Sequence, residues 1–157
     1  MTSFYDLLEE GMTLELGSHT FEPDEIIRFA EKFDPQPFHL SEEGAARSNF
    51  GRLCASGWHT CSIWMRLNVT HGRDEFLRLT GYEGPPPVFG PSPGLRNIKW
   101  LLPVYAGDTI TYRTTLTKKK PSGKRDGWAM LLNRSEGFNQ DGKQVLTMDG
   151  AVLMRMD

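Results

Sequence analysis

Along this chain the apolar positions form a strand-like start, a helical middle and a strand-built second half. The segment MTLELGSHTF reads as a strand from Thr13 to Phe21. In EPDEIIRFAEKF, Ile26, Ile27, Phe29, Ala30 and Phe33 recur at helical spacing. Acidic residues stand near the start of that segment, where a helix dipole favours them, so a short helix is predicted. Ser41 precedes Glu42, Glu43 and Gly44 as the N-cap of a second short helix, EEGAARSNF. A third helix opens at Ser56. In SGWHTCSIWMRLNVT the residues Trp58, Cys61, Ile63, Trp64, Met65, Leu67 and Val69 cover most of the circumference, and Arg66 is its one charged residue. A helix apolar nearly all round is expected to be buried.

The next stretch, HGRDEFLRLTGYEGPPPVFGPSPG, is expected to be irregular, because Pro85, Pro86, Pro87, Pro91 and Pro93 break any long element. Four further strands are then predicted in LRNIKWLLPV, DTITYRTTLTKKK, GWAMLLNRSEGFN and KQVLTMDGAVLMRM. The turns between them are AGD, PSGKRDG and NQDG. Short connections between consecutive strands imply antiparallel pairing. The order is strand, small helices, one apolar helix, then four strands. That order predicts an α+β architecture in which a curled sheet wraps a central helix.

Composition narrows the picture. At 157 residues, with 38% hydrophobic and 24% charged residues, the chain suits a single domain spanning 1–157 with its own core. A formal net charge of -2 gives no electrostatic reason to expect nucleic acid as a partner. No apolar run approaches the ~20 residues of a membrane span. The acidic start, MTSFYDLLEEG, lacks the pattern of a secretory signal, so the cytoplasm is the expected compartment. Cys54 and Cys61 suit packing in or near a helix and do not make a zinc-site pattern.

Candidate chemistry concentrates in FDPQPFH. Pro35 and Pro37 fix their own φ and push the residues before them toward extended backbone. Asp34 and His39 are therefore held at a near-constant separation. Imidazole titrates near neutrality, so a stiff carboxylate–imidazole pair suits acid–base work. The plainer reading is that the two side chains cap helices and tie down a loop. Downstream, Ser56 reads as a helix cap, and ASGWH lacks the Gly-x-Ser-x-Gly elbow of a serine nucleophile. Gly57, in the first turn, lacks a Cβ and has an N–H with no partner inside its helix, which suits an approaching carbonyl oxygen. His59 reads as a core histidine. The run Lys118–Lys119–Lys120, with Lys124 and Arg125, reads first as a solvated hairpin end.

Asp34-Pro35-Gln36-Pro37-Phe38-His39, LCASGWHT and GLRNIKWLLPVYAGDTI, in that order, resemble the MaoC-like dehydratase family, which includes the (R)-specific enoyl-CoA hydratases. The resemblance runs from about Thr13 to the C-terminus. It implies the hotdog fold, a curled antiparallel sheet around a long central helix; a homodimer or higher homo-oligomer is expected, with neither nucleic acid nor membrane as a partner. It also implies interconversion of trans-2-enoyl and (R)-3-hydroxyacyl thioesters of coenzyme A, within fatty-acid metabolism and without a cofactor. Asp34 and His39 match the catalytic pair. Gly57 matches the glycine whose N–H meets the thioester oxygen, with Ser56, Trp58 and Gln36 beside the substrate. Two positions depart from the family pattern: Gln36 replaces an Asn, and Met65 replaces a small polar residue. These departures suit a non-catalytic acyl-thioester-binding subunit. A thioesterase on the same fold is the other alternative, although GWHTCSIWMRLNV carries no carboxylate. The sharper reading of the basic hairpin end is contact with coenzyme A phosphates, and the long irregular stretch 71–94 reads either as a lid that sets acyl length or as padding at a dimer interface.

Overall fold

The computed structural model describes residues 2–157. Its elements are α1 (Phe4–Leu7), β1 (Thr13–Thr20), α2 (Pro23–Phe33), α3 (Pro37–Leu40), α4 (Glu42–Ala46), α5 (Gly57–Leu67), a π-helical turn (Asn68–Gly72), α6 (Arg73–Thr80), β2 (Gly94–Trp100), β3 (Thr109–Pro121), β4 (Trp128–Phe138) and β5 (Gln144–Arg155). All strand pairs are antiparallel, in the order β1-β3-β4-β5-β2. Consecutive pairing holds for β3–β4–β5. It does not hold for β2, which crosses over to pair with β5 and leaves β3 to pair with β1.

The sheet curls around α5. Leu14, Leu16, Ile110, Tyr112, Val145, Leu146 and Met148 on its inner face meet Cys61, Ile63, Trp64 and Leu67 of the helix in one buried cluster. Polar contacts fix the helix on the sheet. Tyr112 Oη donates to the Thr60 carbonyl at 2.9 Å, and Trp64 Nε1 donates to Thr114 Oγ1 at 3.3 Å. This is the hotdog architecture expected from the sequence. The burial of α5 is one-sided in the single chain, however. Trp58 and Met65 on the helix, and Val69 just past its end, are exposed, because the sheet wraps the helix on one side and none of the described residues covers the other.

Two short helices arise where loops were expected. Pro37 serves as the first residue of α3, so the second proline of the stiff loop starts a helical turn that carries His39. In the 71–94 stretch, α6 forms ahead of the prolines, with Asp74 and Glu75 in its first turn and Gly81 as a left-handed C-terminal stop at φ 63°. Breakers that begin at Gly84 and Pro85 do not reach back to it. Phe76, Leu77, Tyr82 and Phe89 from this stretch pack on a second cluster with Phe4 and Leu8.

Candidate active site

The Asp34–His39 loop is built by helix ends. Asp34 caps the C-terminus of α2, its N–H donating to the Ala30 carbonyl at 2.9 Å. The Gln36 N–H donates to the Asp34 carbonyl at 2.8 Å, and the His39 N–H to the Gln36 carbonyl at 2.9 Å. The Gln36 side chain is also engaged, its Nε2 donating to Asp34 Oδ1 at 2.7 Å. Behind the loop runs Leu53–Ala55, whose Cys54 and Ala55 N–H groups donate to the Phe38 and Val104 carbonyls at 3.1 and 2.7 Å. This short extended segment delivers the chain to Ser56 and the start of α5.

Asp34 Oδ2 and His39 Nε2 are 3.3 Å apart, with only 17% and 7% of their side chains exposed, so water screens the pair poorly. His39 Nδ1 lies 2.6 Å from the Cys54 carbonyl oxygen. A carbonyl only accepts, so Nδ1 carries a hydrogen, and Nε2 is the ring nitrogen that faces Asp34. Burial pushes the Asp34 carboxyl up, but the Ser56 hydroxyl, the Gln36 amide and His39 outweigh it and hold the group below the ordinary aspartate value. The result is an ionised carboxylate beside an imidazole nitrogen, Nε2, that the Cys54 carbonyl does not occupy.

Ser56 is fully buried. Its Oγ accepts from the Trp58 N–H at 3.2 Å as the cap of α5. It thus joins the helix start to Asp34 and does not itself line the cavity. The Gly57 N–H donates to no acceptor among the described residues. Gly57 must be glycine for a second reason, since a Cβ there would lie 2.5 Å from Trp100 Nε1, inside the indole ring.

A cavity of about 540 Å³ brings these groups together. Asp34, Gln36, His39, Gly57 and Trp58 all line it, together with Ala55, Thr60, Val104 and Val145. The loop and the helix start, 18 residues apart from His39 to Gly57 in the sequence, thus share one space. Trp100, Leu101 and Leu102, which sequence reasoning did not single out, form another wall. Their signal was present in the apolar run IKWLLPV, which continues past the end of a strand.

The remaining candidates lie elsewhere. No residue of 71–94 and none of Lys118, Lys119, Lys120, Lys124 and Arg125 lines the cavity. Lys119 Nζ donates to the Tyr5 carbonyl, and Arg125 covers the Trp128 ring, so part of the basic hairpin is occupied locally. Met65 is exposed and also outside the cavity. His59 is a core residue, stacked on Phe29 at 4.6 Å with its Nδ1 lacking a partner, and burial lowers its pKa to about 4. Burial also raises the Cys54 thiol to about 11 and raises that of Cys61, and both remain free. No helix among the described residues is long and apolar enough to cross a membrane.

The chain belongs to the MaoC like domain family, matched over residues 8–130. The MaoC-like dehydratase from Rhodospirillum rubrum has the same fold, with 34% identity, a TM-score of 0.79, and 96% of this chain and 94% of that one covered. The chain is 27% identical to the uncharacterized protein YdeM of Bacillus subtilis over 92% of its own length and 94% of the relative's. It is 25% identical to a 3-hydroxybutyryl-CoA dehydratase of Methylorubrum extorquens, covering 91% of this chain and 82% of that one. These relationships support hydratase or dehydratase chemistry in general.

Proposed function

We propose that this protein reversibly hydrates trans-2-enoyl thioesters, with coenzyme A as the carrier, to (R)-3-hydroxyacyl thioesters. The observation that carries the reading is the shared cavity: the Asp34–His39 pair and the free N–H of Gly57 open onto the same space. A water held there donates one hydrogen to the Asp34 carboxylate and the other to His39 Nε2, which turns an oxygen lone pair toward the β-carbon. As the C–O bond forms, the C=C π electrons move toward the thioester carbonyl. His39 takes the proton from water, and the pair returns a proton to the α-carbon. Negative charge on the thioester oxygen is met by the Gly57 N–H and the positive end of α5. Removing one such donor typically costs about 3 kcal/mol of transition-state stabilisation.

The experiment is direct. Purified protein mixed with crotonyl-CoA should bleach the enoyl absorbance and yield the (R)-3-hydroxy product. Release of free thiol without hydration would favour the thioesterase reading, and binding without turnover would favour a non-catalytic subunit.

The same reading includes a homodimer. Among the described residues β2 pairs only with β5 and so leaves one edge open. Trp58, Met65, Val69, Trp100, Leu101 and Leu102, on or following α5 and β2, are between 41% and 67% exposed, which supports cover by a second copy.

A further inference from the structure

Trp100 owes its position to an irregularity in β2. Arg96 pairs with Asp149 and Lys99 with Thr147, so β2 has one more residue than β5 between those points. The bulge falls at Asn97, whose φ is 54°. Its amide Nδ2 donates to Asp149 Oδ2 at 2.9 Å, and Arg134 Nε donates to the other oxygen of that carboxylate at 2.9 Å. Side chains in a regular strand alternate between faces. Leu95 and Ile98 are three apart yet both pack on the inner cluster, which only the extra residue permits. Two residues beyond Ile98, Trp100 is on that inner face as well.

Its indole covers the first turn of α5. The ring occupies the space a Cβ on Gly57 would need, meets Trp58 edge-on at 5.1 Å, and reaches the Cys61 thiol one turn further along the helix. Gly57 and Cys61 are four apart and share a helix face. The indole, though 44% exposed, thus forms the cavity wall that lies against Gly57. A thioester with its oxygen on the Gly57 N–H and its polar carrier in solvent directs its acyl chain away from the mouth, past the indole toward the lining at Thr60 and Val145.

We propose that Trp100, turned inward by the bulge at Asn97, sets the length of acyl chain that the cavity admits and restricts it to short chains. This inference rests on thioester binding at Gly57 as described above. It is separable from turnover, because saturated acyl-CoAs bind without reacting.

Calorimetry with butyryl-CoA and octanoyl-CoA on the intact protein, Trp100→Phe and Trp100→Ala tests it, with circular dichroism confirming that each variant is folded. The expected result is at least tenfold tighter binding of butyryl-CoA by the unaltered protein. That preference should narrow in Trp100→Phe and be lost or reversed in Trp100→Ala. Equal affinity for the two chains in the unaltered protein, or an unchanged ratio in both variants, overturns the proposal. A protein that shows this length preference yet hydrates no enoyl thioester keeps the role of Trp100 and removes the hydratase reading. An active hydratase without the preference does the reverse, and failure to bind either ligand removes both.

Discussion

His59 lies two residues past Gly57 but is spent on packing: it stacks on Phe29, touches Phe21 edge-on, and leaves Nδ1 without a partner. Its pKa falls from the ordinary histidine value near 6.5 to about 4, chiefly through burial. The neutral ring therefore belongs to the folded state, and protons bind preferentially to the unfolded chain. Its contribution to stability is complete above about pH 6.5, declines as the pH falls and is gone below about pH 4. His59→Phe should flatten that part of the profile, as read from urea midpoints across the range; an unchanged slope would assign the loss to other groups. Asp34 also favours the folded state while ionised, but its lowered pKa confines its own loss to more acidic conditions. Sequence alone distinguished these residues by context: two prolines marked Asp34 and His39, whereas His59 sat in an apolar helix. The Nδ1–H contact from His39 to the Cys54 carbonyl was not legible, because it joins segments 15 residues apart.

At the scale of elements, α5 could be read from its capping serine and apolar run, and β3, β4 and β5 from the turns that separate them. The helix α6 was hidden by the prolines that follow it. The bulge in β2 was hidden for a different reason: RNIKW contains no glycine, and Asn97 takes the left-handed conformation through a cross-strand amide contact that local pattern does not reveal. Asn97→Val should therefore destabilise the protein by about 1–3 kcal/mol, since a β-branched residue resists positive φ. Asn97→Gly, which accepts that backbone, should cost less despite losing the contact to Asp149. Chemical denaturation measures both, and equal losses would show that the hydrogen bond rather than the backbone conformation matters.

For the whole molecule, the sequence conveyed a sheet curled around a helix but not the strand order, because β2 pairs with the last strand rather than with its neighbour in sequence. Nor could it convey that one side of α5 stays uncovered in a single chain. Light scattering should give twice the chain mass of 17.8 kDa, and Met65→Glu with Leu102→Glu should shift it toward a monomer. A monodisperse monomer of the unaltered protein would leave those apolar side chains without the proposed cover. The central claim, however, concerns one cavity in which Asp34 and His39 act as a unit. The rate of crotonyl-CoA hydration by the unaltered protein, Asp34→Ala, His39→Ala and the double variant tests it most directly. Each single change should lower the rate by about 100- to 10,000-fold, and the double change by little more than the worse single one. Single variants that retain the unaltered rate would contradict the account.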